Sequence, residues 1–243
     1  MDSSQKKSVE SARACLREAQ HVAVLTGAGI SAESGLPTFR GPNGLWRNFQ
    51  PQQLATPQAF AADPKLVWEW YNWRREVHSQ CKPNPGHWAL VELERRAPQF
   101  TLITQNVDKL HEEAGSSNVL HLHGSLWRVR CLRCEKEEHN SQVPLVLLPP
   151  ICDCGGMLRP AVVWFGESLP QYELRKAVDT VQGADVLLVV GTSAMVQPAA
   201  SLPRMALACG AKVIEVNPEE TELSASASIF MKGKAGEVLP RLV

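Results

Sequence analysis

The residue pattern with the clearest chemical meaning is a glycine-rich turn that follows an apolar stretch. Val22–Thr26 is apolar, as a buried strand is, and Gly27, Gly29 and Ala32 follow with the spacing of the G-x-G-x-x-G/A dinucleotide fingerprint. Such a turn brings backbone N–H groups close to a pyrophosphate. The acidic residue expected about 20 positions further on is missing, because residues 47–50 are Arg, Asn, Phe and Gln. The pattern therefore predicts a nucleotide site whose chemistry is not simple hydride transfer.

Four of the seven cysteines form two close pairs, Cys131 with Cys134 and Cys152 with Cys154, with 17 residues between the pairs. Four thiolates suit tetrahedral zinc and leave no open coordination position, so one zinc ion would be structural. Because the second pair is C-x-C rather than C-x-x-C, His139 is an alternative to one of the sulfurs. The other alternative is a set of unrelated reduced cysteines. An odd cysteine count argues against a disulfide framework.

Two histidines close the strand-like run Val119–His123. Alternation along a strand places His121 and His123 on one side of it. A histidine at the carboxyl end of a strand can act as a general base near neutral pH. The alternative is a structural histidine.

Polar residues also end three other strand-like runs. Gln105–Asp108 offers amide and carboxylate groups for ribose hydroxyls or a carboxamide, although Asn106 or Asp108 could equally cap the helix that follows. Gly191–Ser193 and Asn217–Glu219 suit nucleotide contacts, and each on its own resembles an ordinary turn. These segments are candidates for one shared ligand site.

Composition excludes several classes of protein. The chain has 243 residues, 44% of them hydrophobic, and its 25 basic and 25 acidic residues cancel. A balanced charge provides no net field for nucleic acid or for an anionic membrane. Residues 1–20 lack the apolar core of a signal peptide, and no apolar run is long enough to span a bilayer. We therefore expect a cytoplasmic protein that binds neither a specific nucleic acid nor a membrane.

Short apolar runs alternate with helical patterns along most of the chain, and this alternation predicts a doubly wound parallel α/β sheet. The predicted strands are 22–26, 101–105, 119–123, 161–165, 185–191 and 212–217. Two stretches break the alternation. We therefore predict a Rossmann-type domain from 1–35, 86–124 and 161–243, with 36–85 and 125–160 forming an inserted small helical and zinc-binding module. A cleft between the two would be the ligand site.

The motifs occur in the order GAGISAESGLPTFRG, QNVD, HLHGS, the four cysteines, VVWFGE and GTS. This set resembles the sirtuin family of NAD-dependent protein lysine deacylases over nearly the whole chain. The resemblance implies a large Rossmann-type domain with a small zinc-ribbon and helical module. It also implies that the partners are acylated-lysine proteins or peptides. It leaves the oligomeric state open, with a monomer as one compatible state.

The resemblance assigns NAD binding to a defined set of residues. These are Gly27, Ala28, Gly29, Ser31, Ala32, Glu33, Thr38, Phe39, Arg40, Trp46, Gln105, Asn106, Val107, Asp108, Gly191, Thr192, Ser193, Asn217, Pro218, Glu219 and Ala235.

It also implies a reaction in which the acyl-lysine carbonyl oxygen attacks C1′ of the nicotinamide ribose and nicotinamide leaves. His123 then takes a proton from a ribose hydroxyl that attacks the bound imidate carbon. Asn106 and Asp108 hold the carboxamide, and Phe39 keeps water from C1′.

Two further groups concern the substrate. Tyr71 and Arg74 are spaced i and i+3 on an amphipathic helix, and this Y-x-x-R pair resembles that of the sirtuins that remove succinyl and malonyl groups. The alternative is a solvated arginine beside an apolar face of Leu66, Trp70, Trp73 and Val77. We expect the peptide to add as a strand near 162–167. The residues implied there are Val162, Phe165, Gly166 and Glu167.

The leading interpretation is an enzyme that removes acetyl and acidic acyl groups from lysine, with NAD as co-substrate. A second enzyme activity, ADP-ribosyl transfer to a protein, would use the same site and leave a covalent adduct. A non-catalytic NAD sensor is a third possibility, although a sensor needs no base such as His123. A dehydrogenase is disfavoured because the acidic ribose ligand is missing.

Overall fold

The structure, a computed structural model, describes residues 3–38 and 51–243. Its strands, in chain order, are β1 (His21–Thr26), β2 (Gln99–Thr104), β3 (Val119–His121), β4 (Gly124–Cys131), β5 (Glu137–His139), β6 (Leu158–Val162), β7 (Val186–Val190), β8 (Lys212–Asn217) and β9 (Ile229–Lys232). Its α-helices are α1 (Ser3–Glu18), α2 (Pro51–Leu54), α3 (Pro57–Ala62), α4 (Pro64–Gln80), α5 (Pro85–Arg96), α6 (Leu110–Ala114), α7 (Gln171–Gly183), α8 (Leu202–Ala208) and α9 (Ala235–Val238).

A six-stranded sheet in the order β3-β2-β1-β7-β8-β9 forms the larger part of the fold. Every neighbouring pair in it is parallel. The chain runs outward from β1 to β3 on one side and from β7 to β9 on the other, so the strand order reverses between β1 and β7. In open α/β sheets, ligands bind at the carboxyl ends of the strands beside such a switch point. The predicted doubly wound parallel sheet is confirmed.

Helices cover both faces of this sheet, as buried parallel strands require. On one face α1, α5 and α9 pack against the sheet through buried aliphatic residues such as Leu16, Leu90 and Val238. On the other face α7 and α8 do so through residues such as Val181 and Leu202. All five residues of β7 are buried. The positions at the carboxyl ends of the strands are therefore held by a core on each side.

A smaller antiparallel sheet in the order β5-β4-β6 shares a second core with α2, α3 and α4. The strand predicted at 161–165 for the parallel sheet was wrong. Strand β6 ends at Val162 and pairs with β4, with Val162 opposite Gly124. The apolar residues of β6 pack in the second core instead. Composition alone does not distinguish a strand of the parallel sheet from a strand of the small antiparallel sheet. The predicted domain boundary at residue 160 thus falls inside β6.

The buried face of α4 also differs from the apolar stripe predicted for it. Leu66 and Trp73 are each 47% exposed, whereas Tyr71, Arg74 and His78 are buried. Polar side chains can occupy a buried face where partners and a cleft satisfy them. Within the described ranges, we find no helix that has both the length and the apolar character needed to cross a membrane.

Candidate active site

The glycine turn lies at the switch point between β1 and β7. Gly27 N donates to Val190 O (3.0 Å), and Gly29 N donates to Gly191 O (2.8 Å). A Cβ on Gly29 would lie 2.7 Å from Gly191 Cα, and Gly191 has a φ of +59°. The two backbones therefore touch, and side chains are excluded. In the described residues this turn continues into a single 3₁₀ turn, Ala32–Ser34, and not into a long helix.

Asn106 and Asp108 reach this turn from the carboxyl end of β2. Asn106 Nδ2 donates to Gly27 O (3.1 Å) and to Ser31 Oγ (3.2 Å), and Ser31 Oγ donates to Asp108 Oδ2 (3.0 Å). Leu110 N donates to Asp108 Oδ1 (3.0 Å). One oxygen of Asp108 therefore accepts from the first residue of α6, whose N-cap position is Lys109, and the carboxylate lines the cleft. Burial raises the pKa of Asp108, and the Leu110 and Ser31 donors oppose that rise.

His123 and His121 have separate environments. The Nδ1 atom of His123 lies 2.9 Å from Gln105 O, and because a carbonyl oxygen only accepts, Nδ1 carries the proton. The lone pair is therefore on Nε2. Burial lowers the pKa of His123, and its bond to Gln105 opposes the fall. His121 instead pairs with Glu112 at 2.5 Å, and this carboxylate raises the pKa of His121 against the effect of burial.

The other predicted nucleotide residues lie along the same edge of the sheet. Gln105 Nε2 donates to Thr192 Oγ1 (3.0 Å), and Asn217 Nδ2 donates to Thr192 O (2.9 Å). These bonds link the carboxyl ends of β2, β7 and β8. Val107 is buried, whereas Ser193, Pro218 and Glu219 are exposed.

Glu33 has a different contact. Its carboxylate accepts a bond from Gly236 N (2.7 Å) at the start of α9, next to buried Ala235. Phe39, Arg40 and Trp46 lie outside the described residues, and Thr38 lies at the end of the first described range.

A cleft opens beside these groups. Its lining includes Ala28 and Ser31 of the glycine turn, residues 106–108, and Arg74 and His78 of α4. Leu36 and Pro37 complete the lining. The sequence analysis missed His78, although its i+4 spacing from Arg74 would have placed both side chains on one helix face.

Tyr71 and Arg74 are buried, with exposures of 2% and 4%. The guanidinium lies over the Trp70 ring (4.8 Å) and the Tyr71 ring (5.6 Å), and Trp164 Nε1 donates to the Tyr71 hydroxyl (2.9 Å). Burial lowers the pKa of Arg74, while Tyr71 and Asp108 oppose that change. The solvated-arginine alternative is therefore wrong, because this cation lies inside the cleft.

The predicted peptide segment is partly occupied by internal bonds. Val163 N donates to His123 O and Phe165 N donates to Ala55 O, each at 2.9 Å. Glu167 accepts from Arg159 and from Trp164 N (2.8 Å), so its carboxylate braces the segment from within. Phe165 is half exposed. Gly166 has a φ of +87°, and a Cβ there would meet no atom within 4 Å.

The four clustered cysteines converge at one end of the small sheet. Their Sγ atoms all lie within 4.8 Å of one another, with Cys131 and Cys154 at 3.5 Å and Cys134 and Cys152 at 3.8 Å. Tetrahedral zinc with bonds of about 2.3 Å places its sulfurs about 3.8 Å apart, so the donor set fits this metal. The cluster holds no His139, and the alternative of unrelated cysteines is excluded.

Comparison with known proteins agrees with this geometry. The model of the Sir2 family matches residues 27–198. NAD-dependent protein deacylase 2 of Pyrobaculum aerophilum is 55% identical over 229 residues, which cover 94% of this chain and 92% of that protein. The crystal structure of a Sir2 homolog–NAD complex superposes with a TM-score of 0.90 at 52% identity, covering 96% of this chain and 91% of that one.

A more distant structure, a Sir2 protein bound to a myristoylated histone peptide, superposes with a TM-score of 0.78 at 36% identity. That comparison covers 98% of this chain and 95% of the other. Since the family model spans most of the sequence and the relatives match over nearly their full length, the chain belongs to the Sir2 family of NAD-dependent enzymes.

Proposed function

We propose that this protein is an NAD-dependent protein lysine deacylase that removes succinyl and malonyl groups as well as acetyl groups. One water molecule is consumed when the lysine amine leaves, after the ribose hydroxyl has attacked the imidate carbon, and the products are free lysine, nicotinamide and O-acyl-ADP-ribose. The observation that carries the acyl preference is the buried Arg74 guanidinium, which lines the cleft with Asn106 and Asp108 and packs against the Tyr71 ring. The name of the Pyrobaculum relative supports NAD-dependent deacylation in general.

NAD supplies a ribose carbon from which nicotinamide departs. The backbone of Gly27–Gly29 lies where the pyrophosphate of a dinucleotide approaches a switch point. Asn106 and Asp108, fixed by Ser31 and Leu110, are suited to orient a carboxamide beside the cleft. Gln105, Thr192 and Asn217 form a linked polar edge for the remaining ribose. We keep the full NAD-binding set of the sequence analysis as part of this proposal.

His123 is the proposed general base. Its Nδ1–H donates to Gln105 O, and this bond fixes the ring and leaves the Nε2 lone pair for a proton from a ribose hydroxyl. Burial keeps the pKa of His123 below its usual value, so Nε2 is unprotonated at neutral pH. A base must be unprotonated at its working pH, and this environment provides that state.

The Tyr71–Arg74 pair offers donors to an acyl carboxylate. The Tyr71 oxygen accepts from Trp164 Nε1, and the Arg74 guanidinium lies over the Tyr71 ring at 5.6 Å. Arginine has only donors, so the phenol hydrogen is left for an acceptor such as a carboxylate. Charge-assisted bonds of this kind contribute about 1.5–3 kcal/mol. That range corresponds to roughly tenfold to a hundredfold in affinity.

Arg74→Met tests this assignment. We expect KM for a succinyl-lysine peptide to rise roughly tenfold to a hundredfold, with kcat/KM for the matching acetyl-lysine peptide changing only a few-fold. Arg75→Met is the matched control, because the guanidinium of Arg75 is equally buried on α4 but bonds to Asn140 outside the cleft. Equal losses on both peptides in Arg74→Met would show that Arg74 is structural and would overturn the acidic-acyl preference.

The small module completes the proposal. Cys131, Cys134, Cys152 and Cys154 would hold one structural zinc ion, since four thiolates leave no position for a substrate. We propose that the acylated peptide lies along residues 162–167, where exposed Phe165 and backbone carbonyls contribute, since several N–H groups there already have partners. The division into a Rossmann-type domain and an inserted module is retained, with β6 assigned to the module.

A further inference from the structure

Two buried histidines outside the proposed mechanism lie side by side behind the glycine turn. His87 in α5 and His111 in α6 have ring centroids 5.0 Å apart, with an angle of 60° between the planes. Both side chains are essentially inaccessible. Each ring has one buried nitrogen without a hydrogen-bond partner in the described part of the chain, Nε2 in His87 and Nδ1 in His111.

The tautomer of His87 follows from the start of α5. Asn84 N donates to His87 Nδ1 (3.2 Å), and the Asn84 side chain accepts from the first turn of the helix. These two contacts form a capping box. A ring nitrogen that accepts carries no proton, so the proton of the neutral ring is on Nε2. The unpartnered atom of His87 is therefore a donor, which also excludes it as a metal ligand in this state.

The tautomer of His111 follows from two threonines. Thr26 Oγ1 donates its single hydrogen to Thr104 Oγ1 (2.8 Å). With the Thr26 hydrogen in this bond, His111 Nε2–H is the donor in the contact of 3.0 Å between Thr26 Oγ1 and His111 Nε2. The unpartnered Nδ1 of His111 is then an acceptor, complementary to the donor on His87.

Both ends of this arrangement reach the proposed NAD site. Thr104 Oγ1 accepts from Asn106 N (3.1 Å), which fixes the backbone of the residue whose side chain contacts Gly27 O. At the other end, Asn84 Nδ2 donates to Ile30 O (2.8 Å) and to Ser34 Oγ (2.9 Å) in the segment after the glycine turn. Hydrogen bonds at each end, together with the contact between the two histidine rings, therefore connect the two segments that flank the cleft.

We infer that His111, paired with His87, is a positioning residue for the NAD reaction, acting through Thr26 and Thr104 to hold Asn106. We call His87, His111, Thr26 and Thr104 the His87–His111 network. The inference rests on the proposed function, because the role of Asn106 is assigned there. Removing the network leaves Asn106 N–H without its acceptor, and a buried unmade bond displaces or destabilises the group that loses it.

The tautomers give a test that is independent of activity. In a ¹⁵N-labelled sample of the full chain, long-range ¹H–¹⁵N spectra distinguish Nδ1–H from Nε2–H rings. We expect both His87 and His111 to be neutral Nε2–H tautomers at pH 7, with His87→Gln and His111→Gln used for assignment. An Nδ1–H tautomer at His111 would remove the Nε2–H donor to Thr26 and overturn the inference.

Kinetics test the consequence for Asn106. Thr104→Val removes the acceptor, and we expect kcat for an acetyl-lysine peptide to fall at least fivefold while KM for the peptide stays within twofold. Thr104→Ser restores the hydroxyl and should recover the rate. Thr101→Val, on the same strand, is the matched control. Wild-type kcat in a folded Thr104→Val would contradict the inference.

Substitutions at His111 separate its two nitrogens. His111→Gln places an N–H near the Nε2 position and should retain most of the rate, whereas His111→Asn places its amide near Nδ1 and should behave as Thr104→Val does. Asn106→Ala separates a failure of the proposed active site from a failure of the positioning role of His111. If Asn106→Ala retains wild-type kcat, the proposed site is wrong. If Asn106→Ala loses the rate but Thr104→Val does not, only the positioning inference fails.

Discussion

Acidification should destabilise this protein through its buried histidines. Burial lowers the pKa of His87 to about 4, and burial together with Arg74 lowers that of His78 to about 3. The pKa of His111 is also well below its usual value, because of burial and the neighbouring histidines. In the unfolded chain each ring titrates near 6.5. The folded protein therefore holds fewer protons than the unfolded chain between about pH 4 and 6.5, and stability falls as the pH drops through that window.

The magnitude follows from the size of these shifts. The pKa of an unfolded histidine is about 1.5 units above pH 5, so the unfolded ring is mostly protonated at that pH. In the folded protein His78 and His87 stay neutral. At about 1.36 kcal/mol per unit, each contributes a loss of about 2 kcal/mol between pH 7 and pH 5. The free energy of unfolding of a typical domain is about 5–15 kcal/mol. His121 acts in the opposite direction, because Glu112 raises its pKa and favours the folded state below pH 6.5.

Comparing variants isolates one ring from these opposing contributions. In urea titrations at pH 7 and pH 5, His78→Gln should show a difference between the two free energies of unfolding that is about 2 kcal/mol smaller than that of the wild type. His139→Gln is the control, since it makes the same exchange at an exposed histidine. Identical pH dependence in His78→Gln and the wild type would refute the reasoning, because it would mean that burial does not keep His78 neutral.

Three further predictions concern the other parts of the site. The wild type should contain about one zinc per chain by elemental analysis, and Cys131→Ala should lose both the metal and the folded protein. A stable and active zinc-free enzyme would contradict this. His123→Ala should lower kcat by about two orders of magnitude or more with an unchanged circular dichroism spectrum, and near wild-type turnover would refute His123 as the base. Gly29→Ala places a methyl group 2.7 Å from Gly191, so we expect at least a tenfold rise in KM for NAD or loss of folding, and an unchanged KM in a folded variant would contradict the close approach.

Local patterns were sufficient to predict much of the nucleotide half of the fold. A strand buried on both faces is a continuous apolar run, so Val22–Thr26 and the runs at 185–191 and 212–217 were recognisable without tertiary information. The glycines were also recognisable, because a close backbone approach tolerates no side chain. The cysteine pairs predicted a four-sulfur cluster for a similar reason, since metal ligation imposes spacing that packing does not.

Other features depended on contacts between distant segments. Strand β6 has the composition of a parallel strand, and only its pairing with β4 places it in the small sheet. The buried face of α4 carries Arg74 and His78 as well as Trp70, so hydrophobic periodicity identified only part of that face. His87 and His111 lie 24 positions apart, and their pairing follows from the packing of α5 against α6. Strand β9 is short and was not predicted for the same reason: its pairing partner, not its sequence, makes it a strand.

The most direct test of the central claim is mass spectrometry of matched acetyl-lysine and succinyl-lysine peptides incubated with the protein, with and without NAD. We expect both peptides to lose the acyl group only when NAD is present, with equimolar nicotinamide and O-acyl-ADP-ribose and with faster turnover of the succinyl peptide at low peptide concentration. Acyl loss without NAD, or a mass gain of ADP-ribose on the peptide without acyl loss, would contradict the account.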